Sequence, residues 1–567
     1  MWAWGVNVLE FLPPFAWLAV VLCGLALVPR VAASLVPPAR ALGDLVARRP
    51  GLAACGFGLA AAALVFALPD RAHFVGDFLL RQGTVETSLK PNILFPQALP
   101  LDVLLHYRIP LALSEAHLLD AGMYGRLLGA LEAFGLAGLA ILLARTLKLE
   151  SAAACAFVCA ATFTGGLGLM TGYSKAFSEL ALLTLAVAAF GTRVAREGRG
   201  VLALATSCAL GLALHRSALA LLPSALLALV LAARDAKART RLTSPAALAG
   251  YAVLVLAAIL YLPAIVRTAT GFDMSQHFAS EDVTKAGGLL AASFAPRRLL
   301  DLANLFVFLT PLAPLPVLLA PGVREKPMFV LAALSASWFA LAFVLFPAQG
   351  VFRDWDVFVP AGVALAALAG GLAARTMTGN RATWAGTLSL VCVLLATLGL
   401  LSAHDRERSW ARVEAFMTGP PERTPVERAK TWDFLGASWH HAGRPADAAR
   451  AFGKAAETSR SQRMYLQWAM AARDASDLRQ SQRVLQGLVS FAPQTALAWT
   501  ELGSVSWQLG DYAEAARAAQ ALMRLSPNDA DVRARGEYVE RFYAALRDSV
   551  EGKSPIGPHG MIHGVTR

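Results

Sequence analysis

Twelve residues beside apolar segments of this sequence have side chains that could do chemistry. They fall into four groups: within residues 69–122, after the apolar run 151–170, between runs 201–214 and 218–233, and just before run 357–374. They are Asp77, Arg81, Asp102, His106, Tyr173, Lys175, Glu179, His215, Arg216, Arg353, Asp354 and Asp356. A carboxylate can accept the proton of a hydroxyl group, and Arg, Lys or His can stabilise a charged phosphate. Ionisable groups are costly beside a membrane span, so each is a candidate functional residue.

The elements that must position these residues are membrane helices. Apolar residues make up 56% of the chain and charged residues 16%, and the mean hydropathy is +0.52, outside the range of ordinary soluble domains. Apolar runs long enough to cross a bilayer recur about twelve times. They are residues 11–28, 51–68, 123–144, 151–170, 177–192, 201–214, 218–233, 246–266, 302–320, 328–346, 357–374 and 382–401. We therefore predict an all-α, polytopic membrane domain over residues 1–402.

Charges in the loops predict the orientation of this domain. Every second loop is rich in Arg and Lys, from Arg48 and Arg49 in the first to Arg375 and Arg381 in the last. Basic loops stay in the cytoplasm, so the acidic loops are expected on the exoplasmic side. The formal net charge of +12 is divided among these loops and the C-terminal region, which argues against a nucleic-acid partner. An even number of spans places the C-terminal region on the exoplasmic side.

The C-terminal region has the pattern of a soluble helical repeat. After a linker at 403–428, a pattern with a period of about 34 residues runs through 429–548. That period and its Trp, Leu, Gly and Ala positions resemble tetratricopeptide repeats, with a capping helix at the end. In this pattern Gly436 and Gly503 allow two helices to approach closely. Residues 549–567 are predicted to be a disordered tail.

Several of the twelve residues resemble those of C-type glycosyltransferases, polytopic enzymes that take a sugar from a polyprenyl-phosphate carrier. The likeness is carried by Gly76-Asp77 with the later Pro100-Leu101-Asp102, and by Gly172-Tyr173-Ser174-Lys175 with Glu179 one turn on. The resemblance implies that Asp77, and also Asp102, acts as catalytic base. It further implies that Asp77 could bind Mg²⁺ or Mn²⁺, although the family usually has two adjacent acids there. Asp77 could instead cap a loop helix.

The same resemblance implies substrate-binding roles for the other ten residues. His215 and Arg216 lie where such enzymes often place a basic residue near the carrier phosphate, and Lys175 and Arg353 are further phosphate candidates. Asp354 and Asp356 are candidates for sugar contact. Arg81, His106, Tyr173 and Glu179 complete the predicted substrate site. Lys175 and Arg216 could instead extend to the membrane interface only.

The order of a membrane domain and C-terminal repeats resembles the animal transmembrane and tetratricopeptide-containing O-mannosyltransferases. It implies a polyprenyl-phosphate sugar and membrane lipid as ligands, and a protein or glycan partner bound by the repeats. The richness in Ala, Leu and Arg suggests a bacterium, with the chain in the plasma membrane and the repeats in the periplasm. Two alternatives stay open: an O-antigen ligase or polymerase, and a non-enzymatic scaffold whose repeats hold an envelope complex.

Overall fold

The chain folds into two compact units in a computed structural model. The structure describes residues 2–76, 78–87, 95, 97–319, 324–377 and 379–550. Unit 1 is Met1–Pro421 and unit 2 is Glu422–Arg567, so the division falls inside the predicted linker 403–428. The described residues form helices and turns, with no β-strand among them.

Unit 1 contains 22 described α-helices joined by short turns. Their bounds are α1 Trp17–Ala26, α2 Pro29–Ser34, α3 Val36–Arg48, α4 Pro50–Ala67, α5 Phe78–Glu86, α6 Pro100–Val103, α7 Ile109–Glu115, α8 Ala121–Thr146, α9 Ser151–Thr162, α10 Ala176–Glu197, α11 Val201–Leu214, α12 Leu222–Ala233, α13 Ala236–Arg239, α14 Pro245–Thr268, α15 Glu281–Lys285, α16 Leu289–Ser293, α17 Pro296–Leu309, α18 Leu315–Leu319, α19 Lys326–Val344, α20 Val359–Thr376, α21 Trp384–His404 and α22 Arg406–Thr418.

Short 3₁₀ and π segments extend or join several of these helices. The 3₁₀ helices include Gly165–Thr171, Arg216–Leu221 and Trp355–Phe358, and the π segments are Leu104–Arg108 and Ala269–Phe278. The first of these follows α9, and Trp355–Phe358 leads directly into α20. Residues of the candidate site lie in or beside these segments.

Eight helices in the described part of the chain are long and apolar enough to cross a membrane, or up to ten if each of two bent pairs is one span. The bent pairs are Pro14–Ala26 with Pro29–Arg48, at 91°, and Ser151–Thr162 with Gly165–Thr171, at 53°. The predicted spans at 201–214 and 302–320 fall instead on helices of 14 residues or fewer. A helical membrane-protein class is thus supported, while the count of twelve stays a prediction.

The centre of unit 1 is built on α8, α10 and α20. Helix α10 packs against α8 on one side and against α12, α19 and α20 on others. Small residues allow the close approaches: a Cβ on Gly129 of α8 would lie 1.9 Å from the Met170 carbonyl oxygen. Helix α20 is mostly Ala, Gly, Val and Leu and is almost wholly buried. Lys175 lies at the start of α10, and Asp354 and Asp356 lie just before α20.

Unit 2 contains seven described helices that pack in chain order. Their bounds are α23 Pro425–His441, α24 Pro445–Thr458, α25 Gln462–Asp474, α26 Leu478–Phe491, α27 Ala496–Gln508, α28 Tyr512–Leu525 and α29 Ala530–Val550. Each helix packs against the next, from α23 through to α29. The first helices of successive pairs begin at Pro425, Gln462 and Ala496, close to the predicted period of 34 residues.

The interior of unit 2 is filled by small and aromatic side chains. Gly436 of α23 lies against Phe452 of α24, where a Cβ would come within 2.6 Å of the ring. Helix α23 opens with a capping box, in which Thr424 and Glu427 each bond the other's backbone N–H. Of the tail predicted to be disordered, residues 549 and 550 end α29, and 551–567 lie outside the described residues.

Candidate functional site

Three segments of unit 1 that are distant in sequence meet at the candidate site. They are the 70–76 loop, the turn 172–175 before α10, and residues 349–356 before α20. The Gly76 N–H donates to the Arg353 carbonyl oxygen at 3.2 Å, and the Arg353 guanidinium donates to the Gly76 carbonyl oxygen at 3.3 Å. Gly76 has φ +50°, and a Cβ there would lie 2.5 Å from Lys175 Nζ and 3.3 Å from Asp354 Oδ1. Asp77 follows directly but lies outside the described residues.

A buried ion pair lies at the centre of this meeting point. Lys175 Nζ donates to Asp356 Oδ2 at 2.7 Å, and the two residues are 4% and 0% exposed. Gly172 and Ser174 have positive φ angles of +124° and +44°. They form the turn that leads to Lys175 at the start of α10. Asp356 lies in the 3₁₀ turn that opens α20. The pair therefore links the ends of two central helices.

Asp354 is the second buried carboxyl group of this cluster. Its Oδ2 accepts a hydrogen bond from the Gln349 N–H at 2.9 Å. Burial, together with the neighbouring charge of Asp356, raises the pKa of Asp354 to about 7, although Lys175 acts in the opposite direction. A carboxyl group with this pKa can exchange a proton at physiological pH.

Arg81, Asp102, His106 and Glu179 form a second cluster. Arg81 NH1 donates to Asp102 Oδ1 at 3.2 Å, and His106 Nε2 lies 3.3 Å from Glu179 Oε1 and 3.8 Å from Asp102 Oδ1. Burial opposes the charged imidazolium, but the Glu179 and Asp102 carboxylates outweigh it and raise the pKa of His106. Four of the predicted residues are thus linked by successive contacts although they span almost a hundred positions.

Arg216 and His215 form a third cluster with a residue that the sequence did not place in the site. The Arg216 guanidinium donates through two nitrogens to the Asp273 carboxylate, at 2.5 and 2.7 Å. Burial and the charge of Arg216 hold the pKa of His215 well below its usual range, so His215 is neutral. His277 Nε2 lies 3.9 Å from Asp273 Oδ1 on its other side. Asp273 and His277 both lie in the π segment Ala269–Phe278 and were not among the twelve residues predicted from the sequence.

Residues of all three clusters line one cavity of about 650 Å³, although His106 and Glu179 of the second cluster do not. Seven of the twelve predicted residues are in its lining. They are Arg81, Asp102, Lys175, His215, Arg216, Asp354 and Asp356. Apolar residues line the cavity as well, among them Ile265, Phe272, Leu341 and Leu345. The cavity thus presents both ionic and apolar side chains to a ligand.

Two of the remaining predicted residues hold the 70–76 loop in place. The Tyr173 hydroxyl donates to Asp70 Oδ2 at 2.5 Å, and Asp70 Oδ1 accepts from the backbone N–H groups of Ala72 and His73. Arg353 bonds Gly76 and also lies over the Phe74 ring, 5.8 Å from its centroid. These contacts show that Tyr173 and Arg353 position the loop, and the substrate contact predicted for both stays a prediction. Burial raises the pKa of Tyr173 well above its usual range, which keeps its hydroxyl protonated.

A metal site was also predicted, at Asp77. The described residues contain no group of three or more His, Cys, Asp or Glu side chains placed to hold a metal ion. The predicted ligand itself lies outside those residues, so a divalent cation stays a prediction.

All six cysteines are free. Five of them lie in candidate membrane spans, counting the two bent helix pairs as spans.

Sequence analysis missed Glu132, which is buried within α8 beside Glu179. A signal was present, since Glu132 is the one carboxylate in the apolar run 123–144.

No protein-family model matches this chain, and the comparison with curated proteins also found no match.

Proposed function

We propose that unit 1 is a membrane glycosyltransferase that moves a sugar from a polyprenyl-phosphate donor to an acceptor on the exoplasmic side. The observation that carries the proposal is the cavity of about 650 Å³, whose lining combines ionic and apolar side chains. A polyprenyl-phosphate sugar has the matching combination, with a charged phosphate and polar sugar on a hydrocarbon tail. Its tail must stay in an apolar environment while the phosphate meets cations.

The cations of the wall are suited to the donor phosphate. Arg216 is held in a fixed orientation by its two-nitrogen contact with Asp273, so the guanidinium is oriented before a ligand binds. Arg81 is similarly held by Asp102. When the bond between sugar and phosphate breaks, the electron pair goes to the phosphate oxygen, and these cations stabilise the charge that develops.

The carboxyl groups are suited to the acceptor and the sugar. The acceptor hydroxyl attacks the anomeric carbon of the sugar, and its proton passes to a carboxylate of the wall. Asp102 is our assignment for this base among the described residues, because it lines the cavity and is only 2% exposed. Asp354 and Asp356 line the same cavity beside Lys175, where they can accept hydrogen bonds from sugar hydroxyls. Asp77, directly after Gly76, remains a second candidate base.

Unit 2 is proposed to be a tetratricopeptide-like array that recruits the acceptor or a partner. Its sequential helix pairs, their repeat spacing and the close approach at Gly436 are the features that support this assignment. If both bent pairs cross the membrane, the ten spans, like the predicted twelve, are an even number that starts from an exoplasmic N-terminus, and unit 2 would then lie on the exoplasmic side. For a bacterial plasma membrane this side is the periplasm.

The transfer reaction can be tested with the full chain in lipid nanodiscs. Polyprenyl-phosphate donors carrying single radiolabelled sugars are supplied with peptide or glycan acceptors, and label transfer is measured. We expect transfer by the wild type and a loss of at least about a hundredfold in Asp102→Asn, the size typical of a lost general base. Glu115→Gln is the control, since Glu115 is exposed at the end of α7 and does not line the cavity. Equal transfer by Asp102→Asn and wild type would remove Asp102 from the mechanism.

The orientation can be tested by labelling single cysteines with a membrane-impermeant maleimide in spheroplasts. Ser504→Cys, exposed in unit 2, is expected to react, whereas Arg199→Cys in a basic loop is expected to react only after lysis. The reverse pattern would place unit 2 in the cytoplasm and exclude the acceptor role proposed for it.

A further inference from the structure

A second cavity, of about 190 Å³, shares the segment 349–356 with the candidate site. Phe352 and Trp355 of that segment line the second cavity, whereas Asp354 and Asp356 line the larger one. Its volume exceeds the roughly 150 Å³ that accommodates a benzene molecule. The proposed transfer reaction makes no use of this cavity, so its lining needs an explanation of its own.

Arg412 is the cationic residue of this lining. Its Nε donates to Asn7 Oδ1 at 3.0 Å, and its Nη2 donates to the Trp4 carbonyl oxygen at 2.8 Å. The guanidinium also lies over the Phe308 and Phe352 rings, 5.7 and 5.1 Å from their centroids. Burial lowers the pKa of Arg412 to about 10, so the group stays charged at neutral pH. In the described part of the chain, no carboxylate forms an ion pair with it.

The two groups that Arg412 bonds are held in place by α17. Trp4 Nε1 donates to Asp301 Oδ1 at 2.9 Å, and the Gly5 N–H donates to Asn304 Oδ1 at 2.8 Å. A Cβ on Gly5 would lie 2.3 Å from the Asn304 carbonyl oxygen, so this N-terminal segment packs tightly against the helix. The guanidinium is therefore oriented by the folded chain. Its two hydrogen bonds use Nε and Nη2, which leaves the Nη1 donors for a ligand.

Asp70 also lines the cavity, but its carboxylate is already bonded elsewhere. Its Oδ2 accepts from the Tyr173 hydroxyl, and its Oδ1 accepts from the Ala72 and His73 N–H groups. These three donors hold the carboxylate toward the 70–76 loop. Asp70 therefore does not neutralise Arg412, and the positive charge of the cavity stays available.

Thr164 is a buried polar residue of the same lining, at 2% exposure. Its hydroxyl has no hydrogen-bond partner among the described residues. A buried hydroxyl without a partner costs free energy, so such a group is normally satisfied by a ligand or by water. Both Thr164 and Arg412 are close to Phe308, because a Cβ on the adjacent Gly165 would lie 2.1 Å from the Phe308 carbonyl oxygen. The cavity thus has two sets of donors that the protein leaves unused.

The rest of the lining is mostly apolar and includes the last turns of a candidate span. Leu395, Ala396, Gly399 and Leu400 of α21 line the cavity, and α22, which carries Arg412, begins directly after that span. Lipid head groups lie just beyond the hydrocarbon core, at the ends of spans. A cation at this position, with apolar side chains on the adjoining span, matches an anionic head group followed by a hydrocarbon chain.

We infer that the second cavity binds the anionic head group of a membrane lipid. The head-group phosphate accepts hydrogen bonds from Arg412 Nη1 and from the Thr164 hydroxyl, and the first part of the chain lies against Leu395 and Leu400. A zwitterionic head group fits less well, because its own cation would lie near Arg412. Inorganic phosphate has the same anionic chemistry but leaves the apolar part of the lining uncovered.

The test is native mass spectrometry of the full chain in a nonionic detergent. Phosphatidylglycerol, phosphatidylcholine with the same acyl chains, and inorganic phosphate are titrated separately. We expect the wild type to bind phosphatidylglycerol more tightly than either of the other two. Arg412→Gln should weaken that binding at least about thirtyfold, the size typical of losing one partner of a buried charged contact.

Thr164→Val is the second variant, and it serves also if Arg412→Gln fails to accumulate. It replaces a hydroxyl that bonds nothing in the described chain, so the fold should tolerate it. We expect its affinity for phosphatidylglycerol to fall about three- to tenfold, the size of one hydrogen bond. Thr162→Val is the matched control, because Thr162 is 0% exposed and its hydroxyl likewise has no described partner, but it does not line the cavity. Its affinity should equal that of the wild type.

Thermal unfolding in the same detergent gives a second readout. A ligand that binds only the folded state raises the Tm in proportion to the logarithm of its concentration over its Kd. Phosphatidylglycerol should therefore raise the Tm of the wild type and of Thr162→Val by the same amount, and that of Thr164→Val by less.

Three results would overturn the lipid site. They are equal binding of phosphatidylglycerol and phosphatidylcholine by the wild type, an unchanged affinity for phosphatidylglycerol in Thr164→Val, and inorganic phosphate binding as tightly as phosphatidylglycerol. The last result would identify a soluble anion as the ligand instead. Each measurement is made without sugar transfer, so the outcome is independent of the proposed transferase activity.

Discussion

The buried Lys175–Asp356 pair gives the sharpest prediction for the stability of unit 1. Replacing Lys175 with Met leaves the Asp356 carboxyl group buried, at 0% exposure, without its cation 2.7 Å away. At that separation an ion pair in surroundings of effective dielectric constant ~20 attracts by roughly 6 kcal/mol. Part of this attraction offsets the cost of desolvating both charges, and removing one partner of a buried pair typically costs about 3–5 kcal/mol. We therefore expect Lys175→Met to lower the free energy of unfolding by that amount.

The assay is equilibrium unfolding of the full chain in mixed micelles, followed by circular dichroism. Lys326→Met is the matched control, because its 3.4 Å pair with Asp235 is about 40% exposed on both sides and should have no measurable effect. The double variant Lys175→Met, Asp356→Leu should recover most of the lost stability, since no uncompensated charge then stays buried. Unfolding of Lys175→Met at the same denaturant concentration as the wild type would refute the buried pair.

Three further predictions concern the 70–76 loop, the pH dependence of stability and unit 2. Gly76→Ala should lower the free energy of unfolding by about 1–2 kcal/mol and should also reduce sugar transfer. The reason is that φ of Gly76 is +50° and the added Cβ would lie 2.5 Å from Lys175 Nζ. Unfolding in micelles measures the first effect and the nanodisc assay the second. The folded-state pKa of Asp354, about 7, exceeds its usual 3.8, so its contribution to stability is full below about pH 4 and lost as the pH rises to 7. Asp354→Asn should therefore become more stable relative to wild type over that range in unfolding measured at several pH values, and a constant difference would contradict this. Gly436→Ala should destabilise unit 2 by about 1–3 kcal/mol through overpacking. Gly503→Ala should be tolerated, because the nearest atom to its added Cβ would be 3.5 Å away. Thermal unfolding of the two variants, measured side by side, tests this difference.

Sequence patterns were sufficient wherever the physical cause is local. Hydropathy over some twenty consecutive residues reports whether a segment can lie in a bilayer, and eight of the predicted spans coincide with helices of that length. The repeat spacing likewise predicted that the residues after the linker form successive helix pairs. Hydropathy was less informative at 201–214 and 302–320, where an apolar run forms shorter helices, because apolar composition alone does not distinguish a full span from a buried segment.

The candidate site shows the other limit of a single sequence. Chemistry-bearing residue types beside apolar runs could be identified one by one, and Asp102, Lys175 and Asp356 do line a common cavity. The residues that they contact could not be predicted in this way. Tyr173 bonds Asp70 across 103 positions, and Glu132 lies near Glu179 on another helix.

The sequence by itself indicated a helical protein with spans suited to a membrane, a linker at 403–428, and the residue types available beside the spans. Only the tertiary structure decided which of those residues share a cavity, which hold the 70–76 loop, and that Asp273 pairs with Arg216. The physical reason is that hydropathy and repeat spacing are properties of one stretch of roughly twenty to thirty-four consecutive residues. Ion pairs between helix ends depend instead on how α8, α10, α14 and α20 pack, and no local pattern records that packing.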